Sequence, residues 1–423
     1  MSDQLPFLTR DLPGVSGLIK SRYEDFQVEE IPAYDAVGEG THTFFLIEKA
    51  GLTTMQAARD VARALGVAPH DIGYAGLKDA RALTRQWFSV EHVAPEKVAA
   101  LDLPKIQVVQ TSRHFNKIKI GHLSGNRFRI RVREFRHGAE DDARAILTAL
   151  STKGVPNYFG PQRFGARGDT WRMGAAMLRG DLKDALDQYL GRPGPQDRDF
   201  FQEARRAYDQ GQFARAHDIW PYMYRDERKA LKVLAGGGPP HRAWFAVDRS
   251  LKRLFLSAYQ SRMFNLILAE RIDRLDRLED GDLAFKHDTG AVFRVENAAA
   301  EQPRADRFEV SPTGPLFGYR MTRPTGEPGR REDALLAAEG LNPESFREAD
   351  RHRVKGGRRP LRFKPYDSSV AAGLDKEGPF LEFRFVLKKG CYATSLLREI
   401  LKNESETGEA AVPDESGEGD AEE

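Results

Sequence analysis

Strict alternation of apolar and polar residues marks several stretches of the chain as strands with two unlike faces. In "TRQWFSVE", Thr84, Gln86, Phe88 and Val90 alternate with Arg85, Trp87, Ser89 and Glu91. "LEFRFVL" repeats the period, with Leu381, Phe383, Phe385 and Leu387 on one side. Nearer the amino terminus, "GLIKSRYEDFQVEEIP" reads as a short strand, a turn at Arg22 to Asp25, and a second strand in which Phe26, Val28 and Glu30 share a face. "THTFFLIEKA" and "IGYAG" are further strand candidates. Helical spacing replaces alternation in "TTMQAARDVARALGV", where Ala57, Ala58, Val61, Ala62 and Leu65 line one side. Thr53 or Thr54 supplies its N-cap and Gly66 fits the position after its end. "EDDARAILTALSTKG" gives a second helix, packing Ala143, Ile146, Leu147 and Leu150 and closed by Gly154.

The aromatic and glycine-rich "VPNYFGPQRFGARGDT" ends this pattern, and a domain boundary is expected there. Downstream the chain turns mainly helical. "DRSLKRLFLSAYQSRMFNLILAERIDRL" is one long amphipathic helix capped by Asp248, with Leu251, Leu254, Phe255, Ala258, Phe264 and Ile267 among its apolar positions. Alternation then returns at Leu381, followed by the turn "KKGCYATS" and the short helix "LLREIL". The last strand resembles the first 150 residues more than the middle does. The middle therefore reads as an insertion, with the carboxyl-terminal strand and helix completing the first domain.

A length of 423 residues suits two domains, because a single core stops growing at about 250 to 300 residues. No apolar run approaches the roughly 20 residues needed to span a bilayer, and the first residues carry no basic start or apolar core of a signal peptide. The cytoplasm is the expected location, with no membrane partner. Cys391 is the only cysteine, which excludes an intramolecular disulfide and a multi-cysteine zinc site. The histidines show no paired ligand spacing. The net charge of +2 hides an asymmetry: residues 403–423 hold nine acids, no Lys or Arg, and almost nothing apolar, and read as a disordered acidic tail. Without that tail, 65 basic residues face 54 acidic ones, an excess that suits a polyanionic partner.

Two runs concentrate the positive charge. "RHFNKIKIGHLSGNRFRIRVREFRHG" holds eight Lys or Arg against the single acid Glu134. Its alternation sets Arg127, Arg129, Arg131 and Arg133 on one face and Phe128, Ile130 and Val132 on the other. Guanidinium forks suit phosphates, although a row paired with acids on a neighbouring strand would look the same. "RHRVKGGRRPLRFK" adds seven cations. No phosphate-binding G-x-x-x-x-G-K-[ST] loop is present, and "GVSG" has the wrong spacing for a nucleophile elbow. What remains is one carboxylate, Asp79, beside Lys78 in the loop of "GYAGLKDARALTRQWFSV", with Phe26 and Tyr392 as candidate stacking platforms. Taken singly, a Lys-Asp pair in a turn is usually structural, Phe26 and Tyr392 are usually core aromatics, and Asn126 is usually a turn residue.

That stretch resembles the catalytic motif of the TruD family of tRNA pseudouridine synthases, in which Gly-aromatic-Ala-Gly-x-Lys-Asp is followed by Thr-x-Gln. "EDFQVEEIP", "GHLSGNRFRI", "GVPNYFGPQRFG" and "VLKKGCYATSLLREIL" resemble further family blocks in the same order, as do "LFLSAYQSRMFN" and "SPTGPLFG" in the middle. The resemblance spans residues 14 to 402. It implies an α+β fold: a pseudouridine synthase catalytic domain with a mixed, mostly antiparallel sheet, formed by residues 1–153 and 361–402 and interrupted by a family-specific insertion domain over residues 154–360. It implies Asp79 as the catalytic aspartate and Phe26, Asn126 and Tyr392 as residues lining a uridine pocket, the last position being Phe or Tyr in the family. The implied activity is isomerisation of a uridine in tRNA, at position 13, with no cofactor or metal required; a monomer is expected. The alternative is a non-catalytic RNA-binding protein on the same scaffold.

The chemistry fits a single carboxylate. A retaining glycosidase uses two, but uracil can leave C1′ as a delocalised anion, turn over and rebond through C5. With an ordinary pKa near 3.9, Asp79 is ionised at neutral pH, and Lys20 or Lys78 is expected to keep it so. Asp79 either attacks C1′ or removes a sugar proton to give a glycal. Phe26 or Tyr392 would stack the displaced base, Asn126 would meet a uracil edge or ribose hydroxyl, and the arginine row would hold flanking phosphates.

Overall fold

Helix α1, Thr54–Leu65, begins where Thr53 and Gln56 close a reciprocal capping box and ends at Gly66, whose φ of 72° is left-handed. Its Ala57, Ala58, Val61, Ala62 and Leu65 are buried against the strands that precede and follow it. The computed structural model describes residues 4–348 and 354–403; the expected acidic tail lies, from residue 404 on, outside them. The chain divides into two compact units, one of residues 9–155 and 363–403, the other built mainly of residues 156–362.

The first unit is organised by an eight-stranded sheet. Its strands include β1 (Phe26–Pro32), β2 (His42–Ala50), β3 (Gly73–Tyr74), β4 (Leu83–Glu91), β5 (Ile106–His114) and β6 (Leu123–Arg133). Strands Tyr366–Asp375 and Gly378–Lys388 complete it. The order runs 366–375, 378–388, β6, β1, β4, β2, β5, with β3 paired to β4. β1 and β4 are parallel and the other pairings antiparallel, so the sheet is mixed and mostly antiparallel and the fold is α+β. The short strand expected before Arg22 is reduced to a single bridge from Leu18 to Arg133, and Tyr23–Asp25 form a tight 3-10 turn.

Register decides which residues share a face. Phe385, Phe128, Val28, Thr84 and Lys49 form one row across five strands, and Leu387, Asn126 and Glu30 form the next. On this face α1 and α2 (Pro95–Ala99) cover Phe45, Ile47, Phe88 and Val90. At the other end of the sheet, α3 (Ala139–Lys153) packs on strand 366–375, and helix Ala393–Leu401 packs on α3. Gly125 permits the approach of strand 378–388, since a Cβ there would lie 2.3 Å from the Leu387 carbonyl oxygen.

The opposite face carries charge, and there the four arginines occupy different environments. Arg127 pairs with Glu29 at 3.4 Å, and Arg129 and Arg131 share Glu382 at 2.8 and 3.0 Å. Arg133 is 7% exposed and donates two hydrogen bonds of 2.7 Å to Asp25 as well as bonds to Asp375. Those bonds hold the Asp375 pKa at about 2. The expectation of one continuous phosphate-binding row is therefore corrected: Arg133 is sealed in a clamp that joins three segments, because its donors are already matched by acids.

The second unit is not only helical. The long helix Arg249–Glu270 is present, with Asp248 accepting from the Ser250 N–H at 2.7 Å, although Leu254 is exposed. A four-stranded antiparallel sheet of Gly357–Pro360, Val310–Leu316, Leu283–Lys286 and Val292–Arg294 accompanies the helices. Of the second basic run, Arg358, Arg359 and Arg362 turn inward. Arg358 pairs with Glu332 at 2.7 Å, Arg359 lies 4.4 Å from the Phe159 ring centre, and Arg362 is 1% exposed.

The two faces of strand 378–388 make opposite predictions. Phe383→Ala should cost about 3–5 kcal/mol of unfolding free energy in urea, because the residue is fully buried. Arg384→Ala, on the charged face, should cost less than about 1 kcal/mol.

Candidate active site

Asp79 stands in the turn between β3 and β4. Its Oδ1 accepts the Arg81 backbone N–H at 3.0 Å, the self-closing contact common to turn aspartates. Its Oδ2 forms an ion pair with Lys20. Lys20 has a φ of 58°, a left-handed conformation that is unfavourable for a residue with a Cβ. In that conformation its ammonium reaches Asp79 while lying 4.8 Å from the centre of the Phe26 ring.

A chain of neutral hydrogen bonds fixes the turn from below. The Lys78 N–H donates to Thr54 Oγ1 at 2.8 Å, and that hydroxyl donates to Gln86 Oε1 at 2.9 Å. Gln86 Nε2 in turn donates to the Gly76 carbonyl at 2.5 Å. The first residue of α1 and the second inward residue of β4 thus hold the turn jointly. Gly73 is required by close packing, a Cβ there lying 2.4 Å from the Ile118 carbonyl oxygen, whereas Gly76 has ample room.

Lys78 and Lys20 divide the two carboxylates between them. The Lys78 ammonium is 2.7 Å from Glu30, and the two side chains are 6% and 0% exposed. Burial raises the Glu30 pKa, and the charge and hydrogen bond of Lys78 oppose the rise. Of the two cations that the sequence leaves open, Lys20 is therefore the one on Asp79, and Lys78 is turned into the interior. For Asp79, burial pushes the pKa up, but the Lys20 hydrogen bond and charge, the Arg81 N–H and the Lys49 charge outweigh it. The net shift is downward, so the carboxylate is ionised at neutral pH while 41% of its side chain remains exposed.

Asn126 lies directly across from Glu30 in the sheet register, on the same face. Among the described residues its Oδ1 is buried without a hydrogen-bond partner, an unusual state for an amide acceptor. Phe26 is 6% exposed and touches Phe128 edge-on, so most of its ring belongs to the core. Tyr392 is half exposed at the start of helix Ala393–Leu401, just past the strand whose Leu387 flanks Asn126. Asp79, Lys20, Phe26 and Asn126 thus sit on one side of the sheet, while Arg127, Arg129, Arg131 and Arg133 emerge on the other.

Sequence reading missed Lys49, Thr54 and Gln86 as parts of this site. Lys49 Nζ donates to the Leu52 carbonyl at 2.6 Å and lies 3.4 Å from the Asp79 carbonyl oxygen. A buried signal existed: Lys49, Thr84 and Gln86 are polar residues in phase with apolar ones on their strands. Among the described residues no group of three or more His, Cys, Asp or Glu side chains is arranged to hold a metal ion.

The division between the two lysines is measurable by NMR titration of the Asp79 carboxyl carbon. Lys20→Met should raise the Asp79 pKa, because the charged form loses its main stabilising contact. Lys78→Met should move it far less.

One ionised aspartate held by lysine on a mixed sheet suits single-carboxylate chemistry, and comparison places the chain among the pseudouridine synthases, which are isomerases. The family model for tRNA pseudouridine synthase D (TruD) matches residues 4–400. The chain belongs to the TruD family. It is 47% identical over 403 residues to tRNA pseudouridine synthase D of Geobacter metallireducens, covering 95% of this chain and 99% of that one. It is likewise 47% identical to the Geobacter sulfurreducens protein of the same name, covering 94% and 96%. A crystal structure from Methanosarcina mazei, assigned to the same family, superposes with a TM-score of 0.85 at 29% identity, covering 94% of this chain and 96% of that one.

Proposed function

We propose that this chain converts a uridine of tRNA, at position 13, to pseudouridine, with Asp79 as the catalytic residue. The observation that carries this reading is the Lys20-held, ionised and partly exposed Asp79 carboxylate. The N1 to C1′ bond breaks, uracil departs as an anion, and a C5 to C1′ bond forms. The proton on C5 is lost to solvent and N1 gains one, so no atom or electron is added overall. Asp79 either bonds to C1′ or takes a sugar proton to form a glycal, and either role needs the charged form. No cofactor or metal enters these steps.

The target base must leave its stack, at a cost of a few kcal/mol. Stacking on Tyr392, worth about 1 to 3 kcal/mol, offsets much of it. Phe26 acts beneath Lys20 rather than as an open platform. The unpartnered Asn126 Oδ1 suits the N3–H of uracil or a ribose hydroxyl. Arg127 and Arg129 are the members of the arginine row with the most exposed side chains, at 57% and 41%. Lying across the sheet from Asp79, they would hold RNA phosphates away from the target nucleotide. In this reading the unit of residues 9–155 and 363–403 is the catalytic domain, and residues 156–362 form an insertion domain. On the same reading the enzyme acts as a monomer in the cytoplasm. Among the described residues no helix is long and apolar enough to cross a membrane.

Asp79→Asn should reduce tritium release from C5-labelled uridine in tRNA by at least about three orders of magnitude. Binding of the tRNA should persist and weaken steeply with salt. Retained turnover in this variant would overturn the assignment.

A further inference from the structure

Lys49 is the penultimate residue of β2, on an inward face that it shares with Thr43, Phe45 and Ile47, and it is 1% exposed. Buried lysines are normally matched by a carboxylate at contact distance. Lys49 is instead matched by two backbone carbonyls, Leu52 on the link into α1 and Asp79 on the catalytic turn. The charged groups facing its ammonium are Asp79 and Lys78, both from that turn. Its cross-strand neighbours, Thr84 on β4 and Ile106 on β5, are uncharged.

We propose that Lys49 is a positioning residue for the reaction at Asp79. Its ammonium ties the backbone of Asp79 to the link into α1, and its charge adds to that of Lys20 in favouring the ionised carboxylate. Lys20 touches the carboxylate at the exposed surface and can be disturbed by an arriving nucleotide. Lys49 is shielded from solvent, so its field on Asp79 is little screened and persists when the site fills.

Removing the Lys49 charge from water works against the fold. Burial lowers the Lys49 pKa to about 8, the Asp79 charge opposing that shift and the Lys78 charge adding to it. The folded pKa therefore lies below the unfolded one, and the ammonium opposes folding at neutral pH. That opposition fades as pH rises past about 8. A site that retains a destabilising charge beside its reactive group fits the trade of stability for activity.

This inference rests on the pseudouridine synthase reading, and the full-length chain can test the two separately. In Lys49→Met the Asp79 pKa, followed by carboxyl-carbon NMR, should rise by about half a unit or more, whereas Lys49→Arg should leave it near the wild-type value. On tRNA, kcat of Lys49→Met should fall at least about tenfold with KM within about twofold, and Lys49→Arg should recover most of the loss. Its melting temperature should not fall. An Asp79 pKa unmoved in Lys49→Met overturns the proposal, as does a kcat loss that follows unfolding. If the wild type makes no pseudouridine, the functional reading fails, and the titration alone decides the role of Lys49.

Discussion

A carboxylate that must stay charged while half withdrawn from water constrains everything around Asp79. Burial alone would raise its pKa and neutralise it. The structure answers with an arrangement of charge: Lys20 pairs with Asp79, the Lys49 charge also favours the ionised form, and Lys78 is matched to Glu30. Without Glu30 the site would hold three lysines against one acid, and Lys78 would be an unpaired buried cation. Glu30 thereby leaves Asp79 to Lys20, and of the three lysines at this turn Lys49 alone is matched by backbone carbonyls rather than by a carboxylate.

The sheet makes this possible by separating two kinds of surface. On one face, apolar rows are covered by helices at both ends, and Asn126, Glu30, Thr84 and Lys49 interrupt those rows near the turn. On the other, acids and arginines form an extended ion-pair network from Arg127 to Arg133. Such pairs are worth little singly at an exposed surface, but the Arg133 clamp is largely withdrawn from solvent and fixes the geometry of three segments at once.

Much of this was legible in the sequence where a signal is local. α1 carries its period, its cap and its closing glycine within 14 residues, and all three were readable. The alternation in β4, β6 and strand 378–388 was equally plain. β5 was not, since its burial lacks a clean period, and strand Val310–Leu316 contains two prolines that argue against a strand. The arginine row illustrates the wider limit: composition reveals four guanidinium groups, but their acids lie as far away as Glu382, 251 residues from Arg131. Only register brings them together. Likewise, no local rule says whether Lys20 or Lys78 meets Asp79, because the decision depends on Glu30 from another strand.

The position of strand 378–388 has a consequence for biosynthesis. It pairs with Gly125 to Arg133 of β6, yet it is made only after the intervening unit of residues 156–362. At 5–20 residues per second, that unit takes on the order of ten to forty seconds to translate. Throughout that interval β6 has an unpaired edge, Ile130 and Val132 lack their later neighbours, and Arg133 lacks Asp375. That edge of the first unit therefore stays without its partner until residues 378–388 have been made.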